Sequence, residues 1–221
     1  MIGFIGGTGV EGRGLAFRMA LLGEKCLLGS RNPDRATSYK DELVEMDENI
    51  NGLVEIGSNR DVAELCDLIF ITIPYNAVRS VLFEIKDQLA GKIVISTVVP
   101  LGFSNNGVEL VSIAEGSAAQ EIEKILPDSY VLSAFQNLSA QKLLSKTAVL
   151  DSDVIVCGDD QNSKNKLIDL INLIDGLRGL DGGYLSNSGI VENITALLIT
   201  LNKIHHTNSS IRISGILPNE N

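Results

Sequence analysis

The amino-acid sequence predicts an α/β fold, a parallel sheet with helices on both faces, and three observations predict it. Short apolar runs alternate with amphipathic stretches along the chain, as strands buried on both faces and their crossover helices require. A glycine-rich turn follows the first run directly and opens a helical stretch, Gly7-Thr8-Gly9-Val10-Glu11-Gly12. The composition, 44% hydrophobic and 21% charged with 5 Pro and no Trp, is that of an ordinary globular α/β protein.

In order, the strand runs are Ile2–Gly6, Lys25–Gly29, Leu53–Gly57, Leu68–Ile73, Lys92–Val99, Tyr130–Phe135, Val154–Gly158 and a weaker Leu177–Asp181. Each is too short for a helix and is bounded by turn residues. Helical stretches fall between them, near 12–22, 34–46, 60–65, 76–88, 117–126, 140–146 and 163–175, with a last one at 189–205. That last stretch has the clearest period. Ile190, Val191, Ile194, Leu197, Leu198, Leu201 and Ile204 form one apolar stripe, expected to pack on the body of the fold, with a dimer contact as the sharper alternative. Gly102–Gly116 is the least patterned segment; its Ser104-Asn105-Asn106-Gly107 has turn chemistry, and a loop there could cover a ligand.

With 221 residues, the chain is long enough to bury roughly 70% of its unfolded surface without staples. No repeat or tether divides it, so a boundary between residues 1–137 and a smaller C-terminal α/β part, 138–221, must lie within compact structure. The formal net charge of −10 argues against a nucleic-acid or anionic-membrane partner, since such binding needs a broad basic face. Three cysteines without CxxC spacing, Cys26, Cys66 and Cys157, read as core hydrophobes in a reducing compartment. No basic leader with an apolar core is visible, so the expected location is the cytoplasm.

The glycine turn has a specific physical reading in this context. Gly7 permits the tight turn, Gly9 lets backbone approach a diphosphate, and Gly12 lets the helix lie close on the strand. The helix start then offers amides and partial positive charge to an anion. Together these make residues 1–137 a Rossmann-type dinucleotide-binding unit.

At the end of the second run, where an acid would bond the ribose of NAD, stand Ser30 and Arg31. A hydroxyl and a guanidinium, with Arg35 one helical turn on, suit the 2′-phosphate of NADP(H). The alternative keeps Arg31 as a solvated strand end and gives the ribose contact to Asp34, although Asp34 beside Pro33 fits a helix start. Two further strand ends carry proline, Thr72-Ile73-Pro74 and Val98-Val99-Pro100, and would line a nicotinamide crevice or merely end their strands.

Acid/base machinery is sparse. The only histidines, His205 and His206, are adjacent at the end of the last helix, and Asp159-Asp160 reads as a turn and helix cap. No metal-ligand spacing is evident.

These motifs, with Gly29-Ser30-Arg31, Gly116-Ser117-Ala118-Ala119, Cys157-Gly158-Asp159-Asp160, Asp175-Gly176-Leu177-Arg178 and Leu185-Ser186-Asn187-Ser188, resemble the coenzyme F420-dependent NADP reductases nearly end to end. The resemblance implies hydride exchange between NADP(H) and the deazaflavin coenzyme F420, ring to ring, with no obligatory catalytic side chain, in a homodimer. It implies that Thr8, Ser30, Arg31 and Arg35 hold the 2′-phosphate and that Gly7, Gly9, Val10 and Gly12 lie under the diphosphate. The deazaflavin would sit near Ile73, Pro74, Val99, Pro100, Gln136, Asn137, Leu138, Ser139 and Ala140. Two positions depart from the family pattern: Gln136 stands for a usual His, and Gly189 for an Arg found in some members. Glutamine can still donate to a ring oxygen, whereas losing Arg removes an anchor for an anionic tail. Other readings are an NADP-dependent reductase of another small substrate, disfavoured by the roughly 80 residues left after the sixth run, or a non-catalytic NADP(H) sensor.

Overall fold

The computed structural model describes residues 1–104 and 107–216; Asn105-Asn106 of the expected turn lie outside the described residues. The strands are β1 (Ile2–Ile5), β2 (Cys26–Ser30), β3 (Val54–Ser58), β4 (Leu68–Ile71), β5 (Ile93–Ser96), β6 (Leu101–Ser104), β7 (Gly107–Leu110), β8 (Tyr130–Ser133), β9 (Ser152–Gly158) and β10 (Leu177–Asp181). The helices are α1 (Val10–Leu21), α2 (Pro33–Met46), α3 (Asn59–Leu65), α4 (Tyr75–Ile85), α5 (Ala118–Ile125), α6 (Ala140–Leu143), α7 (Gln161–Asn172) and α8 (Ser188–His205).

Eight strands form one sheet in the order β10-β9-β8-β5-β4-β1-β2-β3. The chain runs outward from β1 through β2 to β3, then restarts beyond β1 at β4. That reversal opens a crevice at the carboxyl ends of β1 and β4, where open α/β sheets receive ligands. The all-parallel expectation holds from β3 to β8 and fails beyond it, because β9 pairs antiparallel with β8 and β10 runs parallel to β9. The C-terminal strands thus extend the same sheet.

Alternation along the strands feeds two cores. Ile2, Phe4, Leu28, Phe70, Ile95, Leu132 and Val156 face α1, α2 and α7; Ile5, Leu27, Ile69, Ile71, Val94 and Val131 face α3, α4 and α5. Phe4 stacks on Phe70 at 5.1 Å, and Phe70 meets the Phe135 ring edge-on at 5.7 Å. Cys26, Cys66 and Cys157 are free and buried, as their apolar surroundings suggest.

β4 and β5 stop earlier than the apolar runs do, at Ile71 and Ser96. The reason is a repeated local device. Thr72 places both its amide and its hydroxyl on the Ile5 carbonyl, at 3.0 and 2.9 Å, and Thr97 does the same to Ile71 at 3.4 and 3.0 Å. The prolines that follow at 74 and 100 have no N–H to continue a ladder. The least patterned segment holds the antiparallel β6–β7 hairpin, apart from the main sheet, with β7 against α8.

α8 corrects the packing expectation for its stripe. Val191 and Leu198 are buried with the polar Ser188, Glu192 and Thr195, but Ile190, Leu197 and Ile204 are 64%, 57% and 62% exposed. The polar residues point inward because they have internal partners: Glu192 accepts from Ala118 and Ala119 N at the start of α5, and Thr195 donates to the Gln136 carbonyl. The apolar residues at spacing seven are left on the surface.

Candidate functional site

The β1–α1 turn is built as its glycines require. Gly6 has φ +73° and its N–H donates to Asn59 Oδ1 at 3.0 Å. A Cβ on Gly7 would lie 2.8 Å from Leu28 and Phe4 atoms, and one on Gly12 would lie 2.6 Å from the Gly7 Cα. Gly9 differs: a Cβ there would meet nothing closer than 3.6 Å, and the residue is exposed. Its open flank is the approach a diphosphate needs, at the start of a helix whose first residues have no side-chain cap.

Two clefts share the floor formed by Gly9, Thr72, Ile73 and Pro74. The larger, about 780 Å³, extends past Thr8, Ser30, Arg31, Asn32, Arg35, Tyr39 and Asn59. Arg31 and Arg35 are both exposed there, and neither has an ion-pair partner among the described residues. Ser30 Oγ accepts from Asn32 N at 3.1 Å, which turns the chain into α2. Asp34 sits exposed in the first turn of α2 and does not line this cleft. Two unpaired guanidiniums and a hydroxyl at a β2 end without an acid fit a phosphate-bearing ribose.

The smaller cleft, about 350 Å³, is lined by Val10, Glu11, Tyr75, Thr97, Val98, Val99, Leu101, Phe135 and Gln136 in addition to the shared floor. Its size and mostly apolar walls suit stacked flat rings. Phe135 holds φ +72°, uncommon for a residue with a Cβ and a source of local strain; that conformation turns the chain from β8 so that Gln136 lines the cleft. Gln136 Nε2 donates to the Ser96 carbonyl at 3.2 Å and to Ser133 Oγ at 2.6 Å, while Oε1 is buried without a partner. This reverses the expected role of Gln136. Its donor is used internally, and the atom left for a ligand is an acceptor.

The remaining expected residues lie elsewhere. Pro100 is buried, its carbonyl accepting from Val111 N at 2.8 Å, and is absent from the ring cleft. Asn137, Leu138 and Ser139 line a separate pocket of about 160 Å³ with Thr195, Leu198 and Asn202, and Asn137 Nδ2 is spent on the Asp153 carbonyl at 2.7 Å. Ala140 starts α6, which lies against α1: a Cβ on Gly14 would stand 2.8 Å from Leu143 Cβ and 3.1 Å from the Ala140 carbonyl. Gly189 packs on Gly116, where a Cβ would stand 2.8 Å from the carbonyl; the larger side chain found in some family members has no room in this arrangement.

Asp159 and Asp160 act as the turn and cap expected. Asp160 accepts from Ser163 N at 2.7 Å, and Asp159 from Leu185 N at 2.9 Å. His205 and His206 are exposed at the end of α8. Sequence reasoning missed Asn59, Thr97 and Tyr39. Ser58 caps α3 through a capping box with Asp61, which leaves the Asn59 side chain to the glycine turn.

A family model described as NADP oxidoreductase, coenzyme F420-dependent, matches residues 1–100. The chain is 37% identical to the F420-dependent NADP reductase of Methanocaldococcus jannaschii, across 97% of this chain and 98% of that protein. It is 34% identical to that of Methanothermobacter marburgensis over the same shares. The chain belongs to the F420-dependent NADP reductase family. Reductases of this family use NADP(H) and coenzyme F420, which fits the two clefts meeting at Pro74. The fold is also that of a solved putative F420-dependent NADP reductase from Arthrobacter sp. FB24, with TM-score 0.81 at 22% identity, covering 96% of this chain and 99% of the other.

Proposed function

We propose that the chain exchanges a hydride between the nicotinamide of NADP(H) and the deazaflavin ring of F420 by direct ring-to-ring transfer, with the rings face to face in the 350 Å³ cleft. The observation that carries this reading is the shared floor of Gly9, Thr72, Ile73 and Pro74, which joins a phosphate-binding cleft with unpaired Arg31 and Arg35 to an apolar ring cleft. When bound, the two ring systems supply the hydride chemistry.

The chain's own residues bind and orient. Arg31, Arg35, Ser30 and Thr8 grip the 2′-phosphate, and the α1 start with Gly7, Gly9, Val10 and Gly12 receives the diphosphate. Ile73, Pro74, Val98 and Val99 wall the rings and, with the Phe135 turn, keep water out, while Gln136 Oε1 accepts from a ring or amide N–H. Residues 1–137 carry the NADP(H) half and line the ring cleft, and 138–221 bear on it through α8, whose Thr195 donates to the Gln136 carbonyl.

The exposed line of Ile190, Leu197 and Ile204 on α8 supports a homodimer that buries it, since an unpartnered apolar line of this kind is costly in water. Three free buried cysteines support a reducing, cytoplasmic setting; among the described residues no helix is long and apolar enough to cross a membrane.

Anaerobic mixing with NADPH and oxidised F420 tests the activity through bleaching of the deazaflavin absorbance. Rapid bleaching with NADPH and little with NADH is the expected result. Tight NADPH binding without bleaching would overturn the choice of acceptor.

A further inference from the structure

Glu11 is an ionisable group of the ring cleft that the reading above leaves without a task. It is the second residue of α1 and lines the cleft with Gly9, Phe135 and Gln136. Its Oε1 is buried and has no hydrogen-bond partner among the described residues. A carboxylate in the first turn of a helix is ordinarily favoured by the helix dipole. Here burial dominates and pushes the Glu11 carboxyl up to about 8.

Among the described residues no neighbouring cation offsets that cost. Arg13, two residues on, pairs with Glu42 of α2 and lies over the Tyr39 ring. On α6, packed against α1, Lys142 donates to the Asn208 carbonyl, while Arg18 is spent on the carbonyls of Lys142, Leu143 and Ser145. From α4, Tyr75 donates to Glu121, which also pairs with Arg79. Tyr75 is the other titratable residue lining this cleft. The charge that arrives with the reduced dinucleotide is negative, because its nicotinamide is neutral and its diphosphate is received at the same helix start.

We propose that Glu11 is a neutral acid in the NADPH-loaded site and makes NADPH binding proton-linked, so that the reduced dinucleotide meeting an ionised Glu11 draws one proton from solvent onto its carboxylate. This rests on the NADP(H) reading of the larger cleft. The sign follows from the two negative groups sharing one helix turn: each disfavours the other, and protonation of Glu11 relieves it. In the neutral form Glu11 offers one O–H donor and one free acceptor to the ligand. Well below about 8 the free protein already carries the proton and affinity is level; well above it, affinity falls up to tenfold per pH unit.

The test is NADPH binding followed by intrinsic nicotinamide fluorescence between pH 7 and 9.5, for wild type and Glu11→Gln. That window lies above the second ionisation of the 2′-phosphate, at about 6. It also lies below Tyr75, Cys66 and Cys157, which burial pushes up to about 12, 11 and 11. Wild type is expected to weaken about tenfold from pH 8 to 9.5 and Glu11→Gln to show no slope. Arg31→Ala is expected to weaken binding at every pH while keeping the slope. Calorimetry at pH 9 in two buffers of different ionisation enthalpy should show uptake approaching one proton per NADPH in wild type and none in Glu11→Gln. Level affinity in wild type, or equal proton uptake in both proteins, overturns the proposal. Failure of both proteins to bind NADPH at pH 7 overturns the dinucleotide reading and the proposal with it.

Discussion

In the proposed site Arg31 carries the nucleotide preference, because no ion pair among the described residues competes for it. An arginine already held by a carboxylate would have to break that pair to meet a phosphate; Arg31 and Arg35 do not. Replacing Arg31 with Asp removes a charge-assisted hydrogen bond and adds repulsion, so NADPH affinity is expected to fall by about 2–3 kcal/mol, roughly 30- to 150-fold at 1.4 kcal/mol per tenfold. NADH, lacking the 2′-phosphate, should change much less, and titration of both nucleotides against the variant checks this. Equal losses would place Arg31 outside the phosphate site. The Gln136 side chain makes a second point at this scale. The sequence suggested a donor there, but which end of the amide is left free depends on the Ser96 carbonyl, 40 positions away in the chain.

Between elements, the distance from α1 to the β1 turn is set by a single missing side chain. A methyl at Gly12 would stand 2.6 Å from the Gly7 Cα and 2.7 Å from its carbonyl, both backbone atoms that cannot swing aside. Gly12→Ala is therefore expected to cost about 1–3 kcal/mol of stability, the usual range for overpacking, and to weaken NADPH by displacing the helix start. Urea unfolding and NADPH titration of the same preparation measure both. The surface line on α8 gives a third expectation: Leu197→Glu should convert a dimer to monomer in analytical ultracentrifugation, while leaving helix content unchanged. A wild-type protein that is monomeric at micromolar concentration would remove the dimer from the account.

At the scale of the whole molecule, buried charge ties the chain's last described segment to the sheet. Asp153 on β9 is fully buried and meets Arg178 of β10 at 2.7 Å, Arg212 at 3.0 Å and Ile213 N at 2.6 Å. Burial alone would raise its carboxyl; the hydrogen bonds from Arg178, Ile213 N and Arg212 outweigh that and hold it below the usual carboxylate range. Asp153→Ala leaves Arg178 without its carboxylate partner and should cost about 3–5 kcal/mol in urea unfolding.

The acids on the other side of the balance act in the opposite direction. Burial pushes Glu192 up to about 7 despite hydrogen bonds from Ala118 and Ala119 N, so the folded protein keeps a proton that the unfolded chain has released. The stability this contributes is present below about 4.5 and is lost as pH rises through 7. The unfolding midpoint should therefore fall between pH 5 and pH 8, and Glu192→Gln should reduce the difference.

What the sequence determined by itself is the local part: the strand runs, the glycine turn, the absence of an acid at the end of β2, the helix start at Pro33 and the cap at Asp160. Each depends on residues within one or two turns of chain, where periodicity and backbone preference act directly. The burial of Glu11, the acceptor end of Gln136, the release of Asn59 to the Gly6 turn, the removal of Pro100 and Asn137 from the ring cleft and the reversed direction of β9 were decided only by tertiary structure. These depend on which distant carbonyl or carboxylate arrives beside a side chain, and hydrophobic patterning carries no record of that. The α8 stripe lies between the two cases. Its period was legible, but the choice of face was made by Glu192 and Thr195, whose partners on α5 and after β8 satisfy them inside and leave Ile190, Leu197 and Ile204 outside.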